Sequence, residues 1–281
     1  MPATFVLAAF LLAAEEAAID KATEKGRQEE VSRLVMAKAR EMQVLSGESR
    51  TVPAKLHPEP LLRWSNPTAG SVHGEVFLWT IGGRPIAIAS IYRWYHPHKD
   101  STVELVSVAP HGIVAATNRE THWDTRNPGI KISDLASAAK PAESAGGRLV
   151  QMRTLARRFS AELVDTRGGD EVGRELRLLN QPAHRYACPS AKVQDGGLFA
   201  FVEGTDPEAW VILEAIETEA GPKWQFAVVR MNSDALQIKD GDQVVGKWDH
   251  VRQPWTDRTA NYLTFNFDPT RLKLDPPPAS P

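Results

Sequence analysis

Two histidines, His96 and His98, flank Pro97. On an extended chain, residues two apart point the same way, so this pair suits two ligands of one metal ion. No HExxH spacing accompanies them, and the ordinary reading is a solvated loop, so no metal is expected and the two remain weak candidates. Cys188 follows His184 by four residues, but a thiolate nucleophile needs its base within hydrogen-bond reach, which sequence proximity does not supply. A lone cysteine reads as a small buried hydrophobe.

A third set is charged. Arg63 and Arg185, Asp124 with Arg126, and Asp249 with Arg252 occur as matching members in the two halves of the chain. Arginine binds carboxylates through two parallel hydrogen bonds, so these six are speculative ligand-binding residues. The plainer reading is that each Arg–carboxylate pair anchors a turn. Catalytic residues stay unassigned. Gly82-Gly83 and Gly168-Gly169 lack the flanking pattern of a phosphate loop, and no cofactor is expected. Of eight tryptophans, most belong to a core, while one or two on an outer sheet face would stack on a sugar or peptide.

Composition narrows the classes. The 281 residues are 42% hydrophobic and 24% charged, ordinary for a globular chain. With 33 Lys and Arg against 35 Asp and Glu, the net charge of −2 offers no global field for nucleic acid, which is not an expected partner. One cysteine excludes an intramolecular disulfide.

The elements that must position these residues come in two similar runs. Glu59–Tyr92 and Gln181–Glu214 align without a gap at an offset of 122 residues. Pro60, Arg63, Pro67, Gly74, Phe77, Gly82, Pro85 and Ala87 meet identical residues, and Trp64 meets Tyr186. Glycine and proline constrain backbone shape, so a shared chain path is the physical reading. Trp123–Pro128 and Trp248–Pro254 form a second island of similarity. Helical periodicity precedes each run, over Glu15 to about Ser46 and over Arg148–Leu163. Extended segments follow at Arg63-Trp64 and Arg185-Tyr186. Hairpins turn at Ile81–Arg84 and Glu203–Asp206, and further strands are expected at Thr102–Val108, Ile113–Thr117, Lys223–Met231 and Gln243–Trp248.

The expected class is α+β: an internal duplication of a helix followed by an antiparallel β-meander. The element order is cystatin-like or nuclear-transport-factor-like by analogy alone. The units span 15–132 and 148–267, joined by a linker at 133–147 rich in small residues, with a proline-rich tail at 268–281. Asn261–Phe267 is a final strand able to pair with either sheet. Pro2–Ala14 is uncharged and too short to span a bilayer, so no transmembrane span is expected. Its length suits the apolar part of an export signal or an anchor, although no Lys or Arg precedes it.

The phrases PLLRWSNP (60–67), GRPIAIASIY (83–92), QMRTLARRFSAE (151–162), LRLLNQP (176–182) and GLFAFVEGTDPE (197–208) resemble uncharacterised proteins of planctomycete-type bacteria, often exported. The resemblance covers most of the chain after Arg50 and implies export, but no activity or catalytic residue. The expectation is a non-enzymatic exported protein that binds a ligand or protein partner in a cleft between the units or on a sheet, or serves a structural role. The alternative is a hydrolase or lyase with its site in a concave sheet pocket of the first unit.

Overall fold

The computed structural model describes residues 23–67, 70–117, 120–165 and 172–274. The Pro2–Ala14 stretch and Pro276–Pro278 lie outside them. The fold is mixed and mostly antiparallel, hence α+β.

Helix α1 covers 23–41. Ten strands follow: β1 (Met42–Ser46), β2 (Val52–Pro53), β3 (Lys55–Leu56), β4 (Leu62–Ser65), β5 (Ser71–Ile81), β6 (Arg84–His96), β7 (Ser101–Ser107), β8 (Val114–Thr117), β9 (Glu120–Asp124) and β10 (Ser133–Asp134). Helix α2 (Ala145–Ala156) opens the second half. It is followed by β11 (Phe159–Asp165), β12 (Val172–Leu178), β13 (His184–Cys188), β14 (Val193–Glu203), β15 (Asp206–Ile216), β16 (Lys223–Arg230), β17 (Ala235–Asp240), β18 (Gln243–Trp248) and β19 (Tyr262–Asn266).

Both helices end earlier than their periodicity suggests, at residues 41 and 156; residues 15–22 of the first expected helix lie outside the described residues. Met42 and Leu45 belong to β1, and Phe159 and Leu163 to β11. Alternate burial along β1 and the β-branched and aromatic residues of β11 suit a half-buried strand, and short apolar runs satisfy helical and strand spacing alike.

The strand pairings of the two halves run in parallel. β5, β6 and β7 pair in sequence, as do β14, β15 and β16; β4 pairs β5 and β13 pairs β14. Register agrees at the 122-residue offset. Trp64 faces Gly74, and Tyr186 faces Gly196. Trp79 faces Ala87 and Phe201 faces Ala209, each with a bulge one step closer to the turn. Each glycine makes room for the ring opposite: a Cβ on Gly74 or on Gly196 would stand 2.5 Å from a ring atom of Trp64 or Tyr186.

The halves differ in sheet continuity. β12 is continuous and joins β11 to β14 in one long sheet. In the first half the corresponding stretch is split around Ala54 into β2, which pairs β1, and β3, which pairs β5, and β2-β1-β8-β9 forms a separate small sheet.

Four layers result. One face of β5–β7, with Phe77, Trp79, Ala87 and Ala89, packs on Val31, Val35 and Ala39 of α1. The other, with Val76, Leu78, Ile88 and Val106, packs on Leu198, Ala200, Trp210 and Ile212 of the second sheet. Phe199, Phe201, Ala209 and Val211 then meet Met152, Leu155 and Ala156 of α2. Burial on both faces explains the unbroken apolar runs Val76–Trp79 in β5 and Leu198–Val202 in β14. The last strands cross over. β19 pairs β7 of the first half, while β10, within the stretch that reads as a linker, pairs β16 of the second.

Candidate functional site

The two sheets meet along two seams, where a hairpin tip of each half rests on a short strand of the other. At the first seam the Gly82-Gly83 turn lies on β13, close enough that a Cβ on Gly83 would stand 2.9 Å from the Ala187 carbonyl oxygen. At the second, the Gly204-Thr205 turn lies on β4. There Thr205 Oγ1 donates to the Ser65 carbonyl at 2.9 Å and accepts from the Ser65 N–H at 3.0 Å. Thr205 and Ser65 stand 122 residues from Gly83 and Ala187, so the two contacts correspond.

The first seam is sealed. Arg84 Nε and Nη2 donate to the two carboxylate oxygens of Glu214 at 2.7 and 2.8 Å. Tyr186 OH donates to Glu214 Oε1 at 2.7 Å, and Gln225 Nε2 to Oε2 at 2.6 Å. Glu214 is 2% exposed, and every acceptor direction it has is occupied by charge-assisted or neutral donors.

The second seam is open, with a cavity of about 450 Å³ between the halves. Trp64, Tyr92, Trp94 and Trp255 supply aromatic walls. Glu104 comes from β7, and Asp206 and Glu208 from β15. Alternation along β7 aims Val103 and Leu105 at α1 and leaves Glu104 facing the inter-sheet layer. Tyr262 OH donates to Glu104, and Asn232 Nδ2 donates to Glu208 Oε2 at 2.9 Å. Asn232 Oδ1 is buried without a hydrogen-bond partner.

Burial dominates the electrostatics. It pushes the Glu104 carboxyl up to about 7 against the opposing pull of the Tyr262 hydrogen bond and the Arg230 charge. It pushes Glu208 up to about 8, with the charge of Glu104 adding to the effect. Asp206 is raised well above the carboxylate range by burial and then by Glu208. Tyr92 and Tyr262 are likewise held protonated by burial, then by Glu104. Arg230 stands nearby, but its N–H groups donate to the backbone carbonyls of Asn232, Asp249 and Asp234 at 2.7, 3.0 and 2.8 Å. Its guanidinium lies 5.0 Å from the centroid of the Tyr262 ring. Among the described residues, no Lys or Arg forms an ion pair with Glu104, Asp206 or Glu208.

The residues singled out from sequence lie elsewhere and apart. Arg63 is exposed and donates to Glu75 Oε1 at 2.9 Å; Arg185 grips Asp195 at 2.9 and 2.7 Å. Both pairs tie a short strand to its long neighbour. Asp124 pairs with Arg50 and lies 3.5 Å from Arg126. Asp249 and Arg252 are exposed. His96 and His98 are exposed too, and the His98 ring packs edge-on against Trp94 at 5.2 Å. Cys188 is 3% exposed, 3.3 Å from Ser190 Oγ and beneath the Gly82 turn. None of these side chains lines the open seam. Among the described residues, no group of three or more His, Cys, Asp or Glu is placed to hold a metal ion, and no helix is long and apolar enough to cross a membrane.

Sequence reasoning missed Glu104, Asp206, Glu208, Tyr92, Tyr262 and Arg230. Alternation gave no signal for Glu104: in STVELVS it shares a face with Thr102 and Val106, opposite Val103 and Leu105, which reads as the more polar side of the strand. Comparison of the chain with protein-family models, curated proteins and solved structures finds no match.

Proposed function

We propose that the chain is a non-enzymatic ligand-binding protein made of two copies of one helix-plus-meander unit, with its ligand seated in the open seam. The observation that carries this reading is the convergence of Glu104, Asp206 and Glu208, from both halves, on an aromatic-walled cavity of about 450 Å³. That volume falls within the range of small-molecule sites, and cavities between structural units are a common place for them. The matching registers and matching bulges support duplication. Pairing the halves in quasi-symmetry buries one face of each sheet and creates two equivalent seams, and filling one of them while leaving the other hollow yields a single site. Export, read from Pro2–Ala14 and the planctomycete-type resemblance, is part of the proposal; fractionation of the native host is its check.

The test is a thermal-shift screen of a small-molecule library, repeated on Trp255→Ala. Trp255 lines the cavity and is 57% exposed, so its removal spares the core. Compounds that stabilise the parent and fail to stabilise the variant support the reading. A screen whose stabilising compounds act equally on both would refute it.

A second reading, hydrolase or lyase, has one observation in its favour. Glu104 and Glu208, raised by burial to about 7 and about 8, titrate near neutral pH, in the range that suits a general acid. Turnover of a chromogenic glycoside or ester panel, abolished by Glu104→Gln, would move the protein to that class.

A further inference from the structure

The two seams are built from equivalent positions, so the sealed one shows what the open one lacks. Arg84 corresponds to Asp206, and Glu214 to Tyr92, at the 122-residue offset. Across the next strand, Gln225 faces Glu214 as Thr102 faces Tyr92, and Ala227 faces Ile212 as Glu104 faces Ser90. The bulge residue Ile86 corresponds to Glu208. At the sealed seam these positions hold one guanidinium and one carboxylate, joined. At the open seam they hold three carboxyl groups and no cation.

We propose that the open seam takes an organic cation, an ammonium or guanidinium group on an aromatic or aliphatic body, seated among Glu104, Asp206 and Glu208. This rests on the ligand-binding reading of the same cavity and names its ligand class. A buried carboxyl group avoids an uncompensated charge by keeping its proton. A bound cation removes that need, so the proton leaves to solvent as the cation enters.

The groups facing the cluster agree with this direction. Tyr92 and Tyr262 stay neutral. Arg230 contributes positive charge, but its donors are committed to carbonyl oxygens. Glu203 and Asp234 add negative charge, and both pair with Arg174, at 2.6 and 3.9 Å. The aromatic walls suit a cation over ring faces, and the unpartnered Asn232 Oδ1 is an acceptor for an N–H donor.

Tryptophan fluorescence titrations on the full chain test the class. The probes are 2-phenylethylamine and agmatine, with 2-phenylethanol and methyl glucoside as neutral counterparts. The amines should bind at least tenfold more tightly than the neutral probes. Their affinity should rise at least threefold from pH 6 to pH 8, and calorimetry in phosphate and in Tris should give heats that differ by the proton released. Asp206→Arg, which installs the cation of the sealed seam, should abolish amine binding and raise the melting temperature. Should Asp206→Arg fail to fold, the pH and buffer dependence of the parent decides the matter. If neutral probes bind instead and Trp255→Ala weakens them, the cavity reading stands and the cation class falls. If no probe of either kind changes the fluorescence, both fall.

Discussion

Arg84 and Asp206 occupy the same position at the start of two hairpin arms, 122 residues apart, and carry opposite charges. Arg84 closes its seam by gripping Glu214. Asp206 faces Tyr92, Glu104 and Glu208 and leaves its seam hollow. That reversal of sign, together with the exchanges of Glu214 for Tyr92 and Ile86 for Glu208, accompanies the difference between a sealed contact and an open cavity on one chain path.

The sealed seam should be expensive to half-dismantle. Arg84→Met leaves Glu214 buried without its cation and should cost about 3–5 kcal/mol, whereas Arg84→Met with Glu214→Leu should cost far less. Urea unfolding of both variants and of Glu214→Leu alone, read as a double-mutant cycle, checks this; equal costs for the single and double variants would show that the pair acts only by packing.

Stability should fall as the medium becomes more basic. Glu104 and Glu208 hold their protons to about 7 and about 8 in the folded chain, while unfolded glutamates lose theirs near 4.3. Between these limits the folded state binds more protons, so the contribution of these two groups is complete below about pH 4.3 and is lost as pH rises through about 7 and about 8, by roughly 3–5 kcal/mol per group. Chemical denaturation across that range should show the decline, and Glu104→Gln and Glu208→Gln should each flatten it.

The glycines under the aromatic rings should be intolerant. A Cβ on Gly74 would press into Trp64 at 2.5 Å, and one on Gly196 into Tyr186 at the same distance. Alanine at either position should cost about 1–3 kcal/mol. Because Trp64 also lines the cavity and donates from Nε1 to Ser90 Oγ at 2.9 Å, Gly74→Ala should disturb ligand binding while Gly196→Ala should not.

Removing the final strand should damage the opposite half. A chain stopped after Arg258 lacks β19, so β7 keeps β6 but loses its outer partner and becomes an open edge. Tyr262 and Leu263 are 6% and 1% exposed, and the loss of both side chains should exceed about 4 kcal/mol. Hydrogen exchange should show deprotection in β7 before β16; the reverse order would contradict the crossed pairing.

Much of the architecture was legible in the residues. The gapless run from Glu59 to Tyr92 against Gln181 to Glu214 located both long hairpins, because Gly82 and Gly204 require a left-handed backbone, with φ of 58° and 62°, that side chains disfavour. Apolar residues on both strand faces pointed to a sheet covered twice over. The helix ends were misread at Met42 and Phe159, where a short apolar pattern fits either period. Arg63, Arg185, Asp124 and Arg126 lie away from the open seam; Arg63 and Arg185 each tie a short strand to its long neighbour, and recurrence at equivalent positions singles out contacts of that kind.

The site lies where the two halves differ: Arg84 against Asp206, Glu214 against Tyr92, Ile86 against Glu208. The amino-acid order by itself determined the local path, the turns, and which strand faces are apolar, since these depend on neighbours a few residues away. Only the tertiary structure decided which seam closes. That outcome depends on Glu104, Asp206 and Glu208 being brought together across two sheets, and burial, not spacing along the chain, raises the proton affinity of all three carboxyl groups.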